Sequence, residues 1–447
     1  MTYRPTVKIL QGPVGTGKTY RAAREAVRII DSQVDQDEIP FAARHRFLVE
    51  TGRIVWVTFH PSYSYEDFVE GFRPVQKPGG QMVYEVVDGP LKIAARACGS
   101  SHLISRIRIG DHLGGGRYEV VEMDARGLVL KSQPQRSDEI VPELFHFADL
   151  RTVEHLFNRG VLPSEISVPG TDNARKQQFT KKALMPVGAL AAISHHRALY
   201  DRLVELGTAP NTNPEPVVLV IDEINRADLS RVFGELITLL ESDKREGASE
   251  GRSVTLAYSK RSFSLPLTLS IIGTMNTADR SLAMMDVALR RRFEFEDIEP
   301  DTNLCPQDYG GIEVQQVLGR WNHRITALLS RDNRIGHSEL MMRRLEEVRG
   351  VNKWPADDDG KRRALAMNVR RMVAPLLLEY FHDDWRKVEV IFGNRKLLET
   401  VDFPDVVELA SEVVDLSEHS SFSWPSWWDP CSDSWDGDKF KGTLMET

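Results

Sequence analysis

The sequence predicts an α/β fold with a parallel central sheet, and three tracts carry that expectation. In the first, an apolar strand, Thr6-Val7-Lys8-Ile9-Leu10, runs through Gly12-Pro13-Val14-Gly15-Thr16-Gly17-Lys18-Thr19 into a segment rich in helix formers. In the second, Pro216-Val217-Val218-Leu219-Val220-Ile221 is continuously apolar and ends in Asp222-Glu223. In the third, Leu267-Thr268-Leu269-Ser270-Ile271-Ile272-Gly273 ends in Thr274-Met275-Asn276. Apolar runs of this kind suit strands buried on both faces of a parallel sheet, with chemistry at their carboxyl ends.

The glycine tract has the form G-x-x-x-x-G-K-[ST] between a strand and a helix, which is the context of a P-loop. Its backbone N–H groups and the following helix N-terminus are expected to face phosphates. Lys18 then reaches the β- and γ-phosphates of GTP or ATP, and the Thr19 hydroxyl binds Mg²⁺. Asp222 is expected to hold the same ion, and Glu223 to orient and polarise the attacking water, because phosphoryl transfer is catalysed mostly by positioning and charge. Taken alone, the acid pair also fits a helix N-cap; beside a P-loop that alternative falls away. Asn276 can hydrogen-bond the γ-phosphate or the water. Further on, Asp286-Val287-Ala288-Leu289-Arg290-Arg291-Arg292-Phe293 reads as a short helix closed by three arginines. Arg291 and Arg292 are expected to reach a neighbouring subunit's γ-phosphate; the plainer reading is a basic helix end favoured by the macrodipole. These elements stand in the order of AAA+ ATPases. The expected fold class is therefore an AAA+ P-loop NTPase with a parallel central sheet, a C-terminal helical lid and a small β-rich insertion.

Several tracts resemble the McrB family more narrowly. They are Ile221-Asp222-Glu223-Ile224-Asn225-Arg226, Phe233-Gly234-Glu235-Leu236-Ile237-Thr238-Leu239-Leu240-Glu241 and, most specific, Met275-Asn276-Thr277-Ala278-Asp279-Arg280-Ser281. Leu289-Arg290-Arg291-Arg292-Phe293, the tract from Phe59 to Phe68, Ile335-Gly336-His337-Ser338 and the tract from Pro375 to Trp385 fit the same pattern. The resemblance implies a homo-oligomeric, hexameric ring that hydrolyses GTP at subunit interfaces. It also implies a McrC-like nuclease partner and DNA carrying 5-methylcytosine or a similar modification. Lys18, Thr19, Asp222, Glu223 and Asn276 match the family's site positions, and Arg226 is a further candidate for a contact across the interface. Departures are Val14, where a second proline-like residue is common, and the P-loop's position at residue 12, since the family's DNA-reading domain precedes the P-loop. Recognition of modified DNA is then expected to be absent, replaced or carried by another chain. No P-D…(D/E)-x-K constellation is present, so this chain is not expected to cut DNA. All of these motifs address phosphate, metal or water, and none distinguishes guanine from adenine. An ATP-dependent protein remodeller of the MoxR sort shares the same core and stays open as the alternative.

The 447 residues allow two or three domains. A net charge of −8 confines any nucleic-acid contact to a local basic surface. Cys98, Cys305 and Cys431 lie far apart, which suits a reducing cytoplasm. Neither a signal peptide nor a membrane span is expected. The expected division is 1–98 and 183–300 for the large AAA+ subdomain, 99–182 for the insertion, 301–415 for the lid and 416–447 for a Trp-rich acidic tail. Within the insertion, 107–121 and 127–131 read as short strands, 143–157 as a helix, and Gly114-Gly115-Gly116 as a hairpin turn. The insertion is expected to read DNA or dock a partner. A helix over 183–206 carries His195 and His196, which point apart and cannot chelate together. Around 243–261, Lys244, Arg245, Arg252, Lys260 and Arg261 are candidate DNA contacts, though a solvated loop is the simpler reading. His337 can sense nucleotide or form a structural turn. Trp424, Trp427, Trp428 and Trp435 are half of the chain's 8 tryptophans; they either dock a protein partner or fold back on the lid.

Overall fold

The computed structural model describes residues 4–32, 38–76, 82–98, 110–113, 118–123, 127–132, 142–146, 216–279, 287–393, 399–401, 421–423 and 428–445. They fall into two compact units. The first comprises Met1–Leu10, Thr19–Met275 and Leu282–Glu296; the second comprises Gln11–Lys18, Asn276–Ser281 and Asp297–Thr447. No helix among the described residues is long and apolar enough to cross a membrane.

In chain order the elements wholly or mostly in the first unit begin with β1 (Val7–Gly12), α1 (Lys18–Ile30), α2 (Glu38–Glu50), β2 (Ile54–Thr58) and α3 (Tyr65–Phe68). A hairpin of β3 (Glu70–Gln76) and β4 (Met82–Asp88) leads into α4 (Pro90–Cys98). Next come β5 (His112–Leu113), β6 (Tyr118–Met123), β7 (Gly127–Ser132) and β8 (Pro142–His146). β9 (Val217–Asp222), α5 (Leu229–Phe233), β10 (Val254–Thr255), β11 (Ser262–Phe263), β12 (Leu269–Asn276), α6 (Val287–Arg290) and β13 (Glu294–Asp297) complete it. The central sheet has the order β13-β1-β12-β9-β2. β9 runs parallel to both β2 and β12. Ile271 N–H donates to Thr6 O (2.8 Å) and Thr277 N–H to Gly12 O (3.1 Å) with one constant offset, so β1 is parallel to β12 as well. Val217 to Ile221 are fully buried, which explains why their sequence does not alternate.

Packing beneath the sheet is aromatic. Phe68 meets Phe59 and Phe233 edge-on, with centroids 5.3 and 5.0 Å apart. The β3–β4 hairpin is pinned by a buried charge: Glu70 accepts from Lys92 Nζ (2.6 Å), Tyr258 N–H (3.1 Å) and Ser259 N–H (2.7 Å). Lys92 also reaches Asp88 at 2.6 Å. A buried carboxylate with this many donors keeps its charge despite desolvation, and its pKa is lowered, Lys92 and the Ser259 N–H outweighing the burial.

The β-rich character expected of the insertion is seen in its described residues, which form an antiparallel sheet in the order β5-β6-β7-β8. The helix expected over 143–157 fails in its first part. Pro142–His146 is a strand, with Phe145 opposite Leu128 and Glu143 opposite Leu130, because a cross-strand partner overrides local propensity. Residues 147–157, Gly114-Gly115-Gly116 and the 183–206 tract with His195 and His196 lie outside the described residues. Arg245 is not a DNA contact. It is fully buried and donates to the carbonyls of Pro266 (3.1 Å), Leu269 (2.9 Å) and Leu240 (3.4 Å). Lys244 is ion-paired with Asp243 and Glu250. Arg252, Lys260 and Arg261 remain exposed around the β10–β11 hairpin.

The second unit is mostly helical: α7 (Val314–Leu328), α8 (Met342–Val351), α9 (Asp358–Asn368), α10 (Ala374–Tyr380) and α11 (Trp385–Phe392). β14 (Glu399–Val401), β15 (Ser421–Ser423) and α12 (Gly437–Met445) follow. Between α9 and α10 the chain makes a π turn at Val369–Val373. Pro375 lies in the first turn after it and has no N–H to give, so the wider turn absorbs the mismatch. The core gathers Trp321, Phe392, Trp428 and Phe440, each at most 1% exposed. Trp428 meets Phe392 and Phe440 at 5.7 and 5.3 Å. Trp435 donates its Nε1–H to Asp359 (2.8 Å). Of the two readings of the tail, folding back on the lid is the one seen for these two tryptophans; Trp424 and Trp427 lie outside the described residues.

Candidate functional site

In the second unit the P-loop is a self-tied turn. Gly15 and Gly17 take left-handed φ of 78° and 77°, which a side chain would resist. Lys18 is 7% exposed, and its ammonium donates to Gly12 O (2.9 Å) and Pro13 O (2.6 Å). Thr16 donates to Pro13 O at 3.0 Å. α1 starts at Lys18, so its unsatisfied N–H groups open at the loop's end. Thr277, the residue after Asn276, is bonded to Gly12 O, which sets that asparagine at the foot of the loop.

A strap from the lid lies along this loop. Gly336 N–H donates to Val14 O (2.9 Å) and Ser338 N–H to Gly15 O (3.0 Å). A Cβ on Gly336 would fall 1.9 Å from the Gly15 carbonyl carbon, so only glycine permits the approach. Asn322 of α7 clamps the strap from behind, donating to Ile335 O (2.9 Å) and accepting from Ile335 N–H (2.6 Å). His337 is 6% exposed and its Nδ1 accepts from Asp301 N–H at 3.1 Å. Burial holds its pKa below the ordinary histidine value, against the opposing pull of the Asp301 carboxylate.

In the first unit the acid pair ends β9. Asp222 Oδ1 accepts from the Thr19 hydroxyl (3.1 Å) and from the Thr274 hydroxyl. Thr274 Oγ1 in turn accepts from Glu223 N–H (3.2 Å), so one side chain fixes both acids. Glu223 turns left-handed (φ 54°) as the strand ends, a conformation that costs about 1–3 kcal/mol in a non-glycine residue and clusters at functional sites. Arg226 Nε donates to Glu223 Oε2 at 3.2 Å. Thr274 and Asn322 were not legible as site residues: neither belongs to a motif, and only strand pairing and helix packing bring them into place.

The arginine cluster divides by environment. Arg292 pairs with Glu241 at 2.8 Å and its side chain is 7% exposed. Arg291 is exposed, and Arg290 stacks over Phe295. Arg291, Arg292, Glu241, Asp243, Thr6 and Arg4 line a cleft of about 900 Å³ within the first unit. Among the described residues no three His, Cys, Asp or Glu side chains gather to hold a metal. The pair that suits Mg²⁺ is Thr19 with Asp222, two oxygen donors 3.1 Å apart. Mg²⁺ is commonly held by one or two carboxylates plus substrate phosphates, so this donor set fits it.

A parallel sheet with a P-loop between β1 and α1, an acid pair at the end of β9 two strands away and an asparagine at the end of β12 between them defines an AAA+ nucleoside-triphosphatase fold. Residues 140–293 match the AAA domain (dynein-related subfamily), and residues 313–389 match the McrB alpha-helical lid domain. The Type IV methyl-directed restriction enzyme EcoKMcrB subunit of Escherichia coli (strain K12) is 40% identical over 184 residues, 37% of this chain and 37% of that protein. The Type II restriction enzyme BsuMI component YdiS of Bacillus subtilis (strain 168) is 34% identical over 93 residues, 18% of this chain and 26% of that protein. The chain thus spans about a third of the length of these curated relatives. These matches support an McrB-family AAA+ subunit.

Proposed function

We propose that the chain is the GTP- or ATP-hydrolysing motor of a McrBC-like, modification-dependent restriction or anti-phage complex in the cytoplasm. In this reading it works as a homo-oligomeric, hexameric ring and a McrC-like partner cuts the DNA. The observation that carries the reading is Asp222 held between the Thr19 and Thr274 hydroxyls, with Glu223 next along the chain.

Lys18 exchanges the Gly12 and Pro13 carbonyls for phosphate oxygens. Thr19 and Asp222 would hold Mg²⁺, which would supply positive charge to the phosphate oxygens. Glu223 accepts the proton of the attacking water, and Asn276 positions that water or the γ-phosphate. Arg291, with Arg292 and Arg226, acts on the nucleotide of the adjoining copy; Arg292 and Arg226 must leave Glu241 and Glu223 to do so. The β-rich insertion, bounded at 99–182, is the proposed reader of modified DNA, and Arg252, Lys260 and Arg261 are further DNA contacts.

The direct test is steady-state hydrolysis of GTP and ATP by the full chain with Mg²⁺, with and without DNA and a McrC-like subunit, using Lys18→Ala as the blank. Faster GTP turnover, raised by the partner, is expected. Turnover of ATP alone, indifferent to both, would leave a MoxR-like protein remodeller in front. Thr274→Val keeps the shape but removes the hydroxyl that bridges the acid pair. Its kcat should fall about tenfold, as for a lost hydrogen bond to a charged group, with an unchanged thermal melt. A kcat equal to the parent's would remove Thr274 from the site.

A further inference from the structure

We propose that His337 donates its Nε2–H to the phosphate chain of the bound nucleotide, making the lid strap a reader of the ligand. This rests on the nucleotide reading above and names the side chain that couples strap to ligand. The strap is fixed before any ligand arrives: Asn322 clamps Ile335 on both backbone atoms, and Gly336 lies too close to Gly15 for it to slide. On that fixed backbone, the Asp301 N–H bond occupies Nδ1 as an acceptor. The neutral ring therefore carries its proton on Nε2. Nε2 points toward the P-loop, since a methyl on Gly17 would lie 3.8 Å from it. His337 is 6% exposed, and burial lowers its pKa against the opposing pull of the Asp301 carboxylate. It thus offers the phosphates a directed N–H without a second buried cation beside Lys18. The chemical class it fits is a nucleoside di- or triphosphate, independent of the base.

Two substitutions separate this role from a structural one. His337→Asn can keep an acceptor near the Nδ1 position for Asp301 N–H but lacks a donor at Nε2. His337→Gln offers a donor near Nε2 but gives up the Asp301 tie. The measurement is equilibrium binding of non-hydrolysable GTP and ATP analogues to the full chain, alongside thermal melting. His337→Asn is expected to weaken both analogues equally, by about tenfold, the cost of one hydrogen bond to a charged group. His337→Gln is expected to bind near the parent level. The reverse pattern, or loss of folding in both variants, makes His337 a structural tie and overturns the inference. An effect on one base only overturns the phosphate assignment. If the parent binds no better than Lys18→Ala, the nucleotide reading itself fails and takes the inference with it.

Discussion

Glu223→Gln is expected to lower the steady-state rate of triphosphate hydrolysis by about 10²–10⁴-fold, the usual contribution of a positioned general base, while nucleotide binding stays near the parent level. Glutamine has the length and shape of glutamate and keeps one oxygen, but it cannot take a proton from water. The backbone has no reason to move. The Glu223 N–H is held by Thr274 Oγ1 through the main chain, and the left-handed turn at φ 54° depends on the chain, not the carboxylate. What changes is the Oε2 that now meets Arg226 at 3.2 Å. The measurement is kcat beside the affinity for a non-hydrolysable analogue. A kcat within about threefold of the parent's, below the range for a general base, would mean that another group activates the water. A parallel loss of affinity would mean that the substitution disturbs the P-loop and reports nothing about the base.

How far the sequence foretold this site follows from what each part must do. Gly15, Gly17, Lys18, Thr19, Asp222 and Glu223 stand out in the sequence because the phosphate, Mg²⁺ and water proposed for them would dictate both residue type and spacing along one strand–loop–helix or one strand end. Thr274 does not, because its role exists only once β12 pairs with β9 in register, Gly273 opposite Ile221. Asn322 is hidden for the same reason: on α7 it reads as one polar residue on a helix, yet it is 7% exposed and holds the strap. The charge pattern misleads at Arg245, where a basic, glycine-bearing stretch reads as a solvated loop. Its guanidinium instead closes the turn onto three carbonyls. The parallel strands and most lid helices are legible from long apolar runs and helical periodicity. The strand at Pro142–His146 is not, since its partner lies on β7 and local propensity favours a helix.

Trp428→Ala should destabilise the chain by about 3–5 kcal/mol, the range for emptying a large aromatic site in a core. That is a large share of the roughly 5–15 kcal/mol that holds a domain together, and it corresponds to a drop of roughly 10 °C in the melting temperature for a unit of this size. The reasoning begins with burial: Trp428 has no exposed surface and lies between Phe392 and Phe440. Truncation removes the ring and leaves a cavity in the floor shared with Trp321, which itself meets Phe392 at 5.2 Å. Neighbouring rings are stiff and cannot collapse to fill it. Trp435→Phe makes the control, since it keeps a ring and loses only the Nε1–H bond to Asp359, about 1 kcal/mol. Both are read by thermal and urea unfolding of the full chain. The order matters more than either value. If Trp428→Ala melts with the parent while binding of a protein partner is lost, the tail is a docking surface after all. If it melts far below Trp435→Phe, the tail is a structural part of the lid, and α12 is the element that closes its core.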